Sequence, residues 1–230
     1  MYKIQKIILA SLLCTSLVAW LFSISQPEMM METMMTLNPI ALLIFTVSWT
    51  VGMAAMMFPA IVPMVLLYNR LIVEDNNNSD HLLDISKHKN DKQRQFPLVP
   101  SAINYSIKTI VFVASYILVW SLTGILLLLS WSILMNNVFT TYEARELDII
   151  SGFLLVISGL YQFSSLKRKC LGYCESPLAF FTKRWKGNSI IRTIELGTYH
   201  GLYCLGCCWP YFLLMIALGW MNIAWMGLFA

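Results

Sequence analysis

Charged residues are scarce in this sequence. Only 12% of its 230 residues are Asp, Glu, Lys or Arg, while 58% are hydrophobic. An ordinary soluble domain carries about 25% charged residues, and the mean hydropathy here is +0.66. The composition therefore excludes an ordinary soluble domain and favours an α-helical protein embedded in a lipid bilayer.

The motifs of common enzyme classes are also missing. There is no glycine-rich phosphate loop, no His-Glu-x-x-His and no recognisable Ser-His-Asp pattern, so catalysis is not the expected activity. The net charge of +4 is spread over short stretches and forms no basic face of the kind that binds nucleic acid. Six cysteines in a largely apolar chain do not resemble the disulfide framework of a small secreted domain.

Long apolar segments dominate what is present. A helix needs about 20 residues to cross a bilayer. Five apolar segments are about this long, and a sixth, shorter segment begins at Trp220. We therefore predict an all-α, polytopic transmembrane bundle of five full spans plus a partial sixth, forming a single domain over residues 1–230. We expect the first span to be retained rather than cleaved, and the last helix to be truncated. The five full segments cover residues 7–25, 39–68, 106–134, 148–166 and 193–219.

The distribution of basic residues predicts the orientation. Lys3 and Lys6 precede the first span, and nearly all other Lys and Arg flank the segments after spans two and four; only Arg145 falls on the other side. Because cytoplasmic loops carry the excess of Lys and Arg, the N-terminus is predicted to be cytoplasmic. The segment 70–105 is polar and poor in aromatics, which predicts a mobile cytoplasmic loop.

The stretch HGLYCLGCCWP at residues 200–210 gathers four potential metal ligands. His200, Cys204, Cys207 and Cys208 stand at i, i+4, i+7 and i+8, so they share one face of an α-helix. Free cysteine is also a common small hydrophobe, and the nearby glycines explain close helix packing on their own. A histidine inside a span, however, usually has a function or a partner. We therefore predict a metal site on this face.

The second span offers soft ligands at a similar depth. Met53, Met56 and Met57 share a face in WTVGMAAMMFPAIVP, and the two prolines that follow interrupt the helical hydrogen bonds, which favours a kink and a pocket. Thioethers alone also pack well as ordinary core residues. Thiolates and thioethers together suit Cu(I), with Zn(II) as the alternative. A shared site requires these methionines to approach the cysteines of the fifth span.

Two further groups carry sulfur. Cys170 and Cys174 lie in LKRKCLGYCESP, which we predict to be a basic cytoplasmic loop whose lysines favour the thiolate form. This suits transient metal transfer or redox exchange, although two unrelated loop thiols give the same pattern. Residues 26–38 hold five methionines and no positive charge, which fits either a metal-collecting segment or the start of an interfacial helix.

Four segments, taken in order, resemble a known family: MAAMMFPAIVP, YQFSSLKRKCLGYCESP, GTYHGLYCLGCCW and GWMNIAWM. They are similar to a prokaryotic family of integral membrane proteins that are predicted to bind metal and are described in part as copper chaperones. The resemblance implies a multi-pass protein of the prokaryotic inner membrane, and family members continue the last helix beyond the WM motif. The positions that match are Met53, Met56, Met57, Pro59, Gln162, Lys167, Cys170, Cys174, His200, Cys204, Cys207, Cys208, Trp209, Met221 and Met226.

The leading hypothesis is a membrane protein that binds a soft metal, Cu(I) before Zn(II), and hands it to a metal carrier or a membrane subunit. The three cysteines of the fifth span would be the primary ligands, His200 and the span-two methionines would complete the site, and Cys170 and Cys174 would transfer the ion. Two alternatives stay open: a membrane thiol-disulfide oxidoreductase that uses Cys204 and Cys207, and an accessory structural subunit of a membrane complex.

Overall fold

A computed structural model describes residues 2–25, 39–87, 100–134, 144–187 and 189–218. These residues form seven helices and no strand, which confirms the predicted all-α class. The helices are α1 (Tyr2–Ser25), α2 (Pro39–Lys87), α3 (Pro100–Leu134), α4 (Ala144–Tyr161), α5 (Ser165–Glu175), α6 (Pro177–Arg184) and α7 (Ile190–Leu218).

Three helices are long and apolar enough to cross a membrane. Within the described residues they contribute the segments Gln5–Ser23 of α1, Pro39–Asp75 of α2 and Tyr105–Ser130 of α3. The α4 helix contributes a shorter apolar stretch, and α7 carries glycines, tyrosines and a histidine in place of aliphatic residues. Length and composition therefore do not support the predicted count of five full spans. The predicted partial sixth span and the methionine-rich segment lie outside the described residues.

The α2 helix is longer than the sequence pattern predicted. It continues to Lys87, and α3 begins at Pro100, so most of the predicted loop at 70–105 is helical; residues 88–99 lie outside the described part of the chain. The physical reason is that no proline or glycine occurs between Met64 and Phe96 to end the helix. Polarity alone was a poor guide to helix termination.

The α7 helix lies at the centre of the helix contacts. It packs against α3, α4 and α5, while α2 packs against α1 and α3, and α6 contacts both α5 and α2. Aromatic residues fill the junction of α2, α3 and α7. Trp49 donates from Nε1 to the Trp120 carbonyl at 2.9 Å, and Phe212 packs edge-on against both indoles at centroid distances of 5.4 and 5.5 Å.

Two prolines lie inside α2, yet the helix runs through both. Pro59 has no N–H, so the carbonyl of Ala55, four residues earlier, loses its helical donor. The hydroxyl of Ser16 on α1 donates to that carbonyl at 2.6 Å. Because the freed acceptor is satisfied by a neighbouring helix, α2 can keep the irregularity in an apolar environment.

The same device anchors α4 against α7. Pro210 frees the carbonyl of Gly206, which accepts a 2.6 Å hydrogen bond from the hydroxyl of Tyr161 at the end of α4. The hydroxyl of Ser158 donates to the carbonyl of Pro210 at 3.3 Å. Two hydrogen bonds to irregular backbone therefore fix where α4 ends and where the chain turns into α5.

Candidate metal centre

The four predicted ligands of the HGLYCLGCCWP stretch all lie on α7. His200, Cys204 and Cys207 are buried, with 2, 4 and 4% of their surfaces exposed, and Cys208 is half-buried. The Cys208 thiol interacts electrostatically with that of Cys204 one turn earlier, as the i, i+4 spacing predicts. The helix carries these side chains towards α2, α3 and α5.

Cys204 is the meeting point of three helices. Its Sγ atom lies 4.0 Å from the Sδ atom of Met57 on α2 and accepts a hydrogen bond from the Tyr116 hydroxyl on α3 at 3.4 Å. The predicted approach of a span-two methionine to a span-five cysteine is therefore present. Two sulfur ligands about 2.3 Å from one ion lie about 3.8 to 4.0 Å apart at tetrahedral or trigonal angles. The observed spacing is thus that of two ligands able to share an ion.

The other two methionines of α2 lie deeper in the core. Met53 and Met56 are 0 and 4% exposed, and of the three it is Met57 whose sulfur meets a cysteine. Their burial is what ordinary packing residues show. A metal-binding role for Met53 and Met56 stays a prediction.

The cysteines of α5 join the same cluster. The Cys174 thiol interacts electrostatically with those of Cys204 and Cys207. Cys170 interacts with Cys207. Its Sγ atom packs against Gly206, where an added Cβ atom would lie 2.8 Å from the sulfur. The sequence pattern placed these two thiols in a loop away from the fifth span, whereas α5 packs directly along α7.

Local sequence explains why α5 and α6 are helices. The hydroxyl of Ser164 accepts from the Lys167 N–H at 3.1 Å, and the hydroxyl of Ser176 accepts from the Ala179 N–H at 3.4 Å. Pro177 occupies the first turn of α6, where its missing N–H has no cost. A serine N-cap is a sequence signal for the start of a helix. Ser164 and Ser176, the latter followed by proline, therefore predict two short helices where the basic residues suggested a loop.

Burial and the neighbouring cysteines of α7 raise the pKa values of both α5 thiols. Burial raises the pKa of the Cys170 thiol, with a further contribution from Cys207. Hydrogen bonds with Cys204 and Cys207, and then burial, raise the pKa of Cys174. Both shifts oppose the predicted preference for the thiolate form. The physical reason is that Lys167 turns its ammonium towards the Tyr211 hydroxyl, 3.4 Å away.

His200 lies in an aromatic enclosure. Its ring is 5.4 Å from the Tyr116 ring, 5.5 Å from Phe180 and 6.4 Å from Phe112, centroid to centroid. Within the described residues its Nδ1 atom is buried without a hydrogen-bond partner. An unsatisfied buried nitrogen is unfavourable, and coordination to an ion would remove that cost.

A cavity of about 270 Å³ adjoins the cluster. Residues of α2, α3, α5 and α7 line it, and Pro177 at the start of α6 closes one side. The pocket predicted beside the α2 prolines is therefore present, with two thiols and the buried histidine in its wall. Its lining includes Pro63, Met64, Tyr116, Cys174, His200 and Cys204.

Comparison with known proteins bears on what this cluster holds. Residues 46–230 match the family model PpoB2, which is described as a copper chaperone. The chain belongs to this copper chaperone family. The match contains all nine residues predicted as ligands, from Met53 to Cys208. No curated protein and no solved structure matches the chain.

Membership of the copper chaperone family supports copper binding or transfer in general. In the described part of the chain, no three His, Cys, Asp or Glu side chains are already grouped as a metal cluster. A complete set of metal ligands around Cys204 therefore requires the Met57 thioether or a change in the rotamers of the neighbouring cysteines. The ligand roles of the predicted residues stay predictions.

One residue of the cluster was missed by the sequence pattern. Tyr116 is 1% exposed, donates to Cys204 and stacks on His200. A single tyrosine in an apolar helix is typical of packing, so its type and position gave no signal. Only the contact between α3 and α7 distinguishes it from the other aromatic residues of the core.

Proposed function

We propose that this protein is an integral membrane copper chaperone that holds Cu(I) between α2, α5 and α7 and passes it on by exchange of sulfur ligands. The observation that carries the proposal is the position of Cys204. Its Sγ atom lies 4.0 Å from the Met57 sulfur, and the Cys174 and Cys208 thiols interact with it electrostatically. Soft thiolate and thioether ligands select Cu(I), and Zn(II) is the alternative where cysteine and histidine predominate.

The cluster offers more sulfur atoms than one Cu(I) ion needs. Cys174 interacts electrostatically with both Cys204 and Cys207, and Cys170 interacts with Cys207. An ion bound at one pair can therefore move to the next pair by replacing one sulfur at a time. Met57, a weak neutral ligand, suits a place that the ion must leave readily. In this proposal His200 supplies a nitrogen donor beside the first position.

We also propose that α4 and α7 cross the bilayer with the three apolar helices, with the N-terminus on the cytoplasmic side of a prokaryotic inner membrane. At 1.5 Å per residue, the 29 residues of α7 extend about 43 Å, which exceeds the roughly 30 Å hydrocarbon core. The outer side of α4 exposes Phe153, Val156 and Leu160, as a lipid-facing helix does. Reporter fusions before residue 2 and after residue 187 should both be active in the cytoplasm.

Copper analysis of the purified protein tests the proposed function. In detergent the protein should retain close to one copper per chain, and the variant Cys204→Ser/Cys207→Ser/Cys208→Ser should retain almost none. Cys14→Ser is the matched control, because Cys14 is exposed on α1. Equal copper in the triple variant and the control would refute the ligand assignment. A disulfide between Cys204 and Cys207 that cycles with reductant would instead favour the oxidoreductase.

A further inference from the structure

Helices α2 and α7 touch at two levels and leave a space between them. At one level the sulfur atoms of Met57 and Cys204 lie 4.0 Å apart, and at the other the hydroxyls of Tyr68 and Thr193 are hydrogen-bonded at 2.6 Å. Eleven positions separate the two contacts on each helix, and their order is reversed. The two helices therefore run antiparallel and keep one register between these levels.

The 270 Å³ cavity occupies the space between the two contacts. Met64 on α2 and His200 on α7 both line it; Met64 stands seven positions after Met57, and His200 four positions before Cys204. In this register His200 is level with Ile61, three positions before Met64. Because helical side chains lean towards the N-terminus of their own helix, the Met64 and His200 side chains lean towards each other.

Both side chains carry donors that suit copper. Thioether sulfur selects Cu(I), and imidazole also binds copper. Met64 is 1% exposed and His200 is 2% exposed, and no described side chain or backbone group pairs with the Nδ1 atom of His200. A buried methionine by itself indicates packing. A buried methionine and an unsatisfied imidazole in the wall of one cavity indicate a pair of metal donors.

One ion cannot bind both Met57 and Met64. Seven positions correspond to about 10 Å along α2, and the sulfur atoms keep a similar spacing because both side chains lean the same way. Two sulfur ligands at about 2.3 Å from one ion lie at most about 4.6 Å apart. An ion at Met64 is therefore a different ion from one held by Cys204 and Met57.

Charge makes the position at Met64 and His200 the weaker of the two. Thioether and imidazole are neutral, so an ion bound there keeps its full positive charge, whereas a thiolate at Cys204 neutralises one charge. Uncompensated charge is costly in an apolar environment, and a divalent ion would bring twice as much of it. The position therefore favours a soft monovalent ion over Zn(II).

We propose that Met64 and His200 form a second site for a soft monovalent ion, which fills after the cysteine cluster and binds less tightly. This inference rests on the proposed function, which makes Cu(I) the ion. It assigns a ligand, Met64, that neither the spacing of the cysteines nor the family resemblance singled out. The nitrogen donor that His200 supplies then belongs to an ion about 6 Å along α7 from Cys204.

Silver binding followed at His200 tests the second site. Ag(I) is a soft monovalent ion that keeps its oxidation state, and its binding to an imidazole nitrogen shifts the nitrogen-15 signal of that ring. The chain has three histidines, so His81→Gln/His88→Gln leaves His200 as the only imidazole. In the reduced, untagged, full-length protein in detergent, this signal should stay in place while the cysteines load and should shift when more Ag(I) is added.

Met64→Leu in the same background is the decisive variant, because leucine keeps the volume of the side chain and removes the sulfur. It should weaken Ag(I) binding at His200 by more than about 100-fold, since losing a ligand exceeds the 10- to 100-fold cost of losing a supporting residue. Loading of the cysteines should be unchanged. Ile61→Leu, which alters the same cavity wall, is the matched control and should leave the silver titration of His200 unchanged.

The possible failures are distinguishable. If neither Ag(I) nor Cu(I) binds the protein, the proposed copper function is wrong and the second site fails with it. If the cysteines load but the His200 signal never shifts, or shifts equally in Met64→Leu, the function stands and the second site is wrong. If His200 responds to the same ion that loads the cysteines, one shared site is present and the inference is overturned.

Discussion

The two faces of α7 contact their neighbours in different ways: one packs its backbone against α3, and the other packs side chains against α2 and α5. Towards α3, a Cβ on Gly197 would lie 2.5 Å from the Phe112 carbonyl oxygen, and one on Gly201 would lie 3.0 Å from Val119. Towards α2 and α5, contact is made by the ends of side chains, as in the 4.0 Å approach of Cys204 to Met57. The glycine face therefore fixes the helix by its backbone, while the sulfur face keeps side chains that can rearrange around an ion.

Removing the central thiol should break the sulfur face alone. Cys204→Ser is expected to lower Cu(I) affinity by more than about 100-fold, because loss of a primary ligand exceeds the 10- to 100-fold cost of losing a supporting residue. Thermal stability of the metal-free protein should change little. Competition with a chromophoric Cu(I) chelator measures the affinity. Unchanged affinity would show that Cys204 is only a packing residue.

Adding one carbon to the glycine face should have the reverse effect. Gly197→Ala is expected to destabilise the fold by about 1–3 kcal/mol, as overpacking does, because the backbone of α3 cannot yield as a side chain can. The folded fraction should still bind one copper per chain. Thermal denaturation with copper analysis separates the two effects. Gly152→Ala is the control, since a Cβ there meets nothing within 4 Å.

Tyr116 connects the sulfur face to α3, so its hydroxyl tests how far the site depends on support. Tyr116→Phe removes the hydrogen bond to Cys204 and keeps the ring against His200. Copper affinity should fall about tenfold, in the range for a supporting partner, with stoichiometry unchanged. The same chelator competition measures it. An affinity equal to wild type would mean that the hydroxyl contributes nothing to copper binding.

The smallest expected effect concerns the end of α4. Tyr161→Phe leaves the Gly206 carbonyl without its donor, which should cost about 1 kcal/mol of folding free energy. In a Pro210→Ala background the cost should shrink, because the alanine supplies the missing helical N–H. Denaturation of the four proteins of this cycle gives the coupling. Additive costs would argue against the role assigned to this hydrogen bond.

Local periodicity predicted one face of the site and missed the other. His200, Cys204 and Cys208 follow helical spacing, so any α-helix brings them to one side. The partner helix was found because Met57 carries sulfur at a similar depth. The contribution of Cys174 depends on α5 packing along α7, a tertiary contact that no local pattern encodes, and three adjacent basic residues favoured a solvated loop instead.

Length and composition support three of the five predicted full spans in the described residues. In α7, glycines, tyrosines and His200 take the place of aliphatic residues where the helix contacts α3 and α5. The residues that build the site are the ones that lower the hydropathy of the helix.

X-ray absorption at the copper edge, recorded on the purified Cu(I)-loaded protein, tests the sulfur site most directly. We expect a first shell composed mainly of sulfur that loses a scatterer in Cys204→Ser and is unchanged in Cys14→Ser. A shell of nitrogen and oxygen alone, or the same sulfur shell in both variants, would contradict a copper site centred on Cys204.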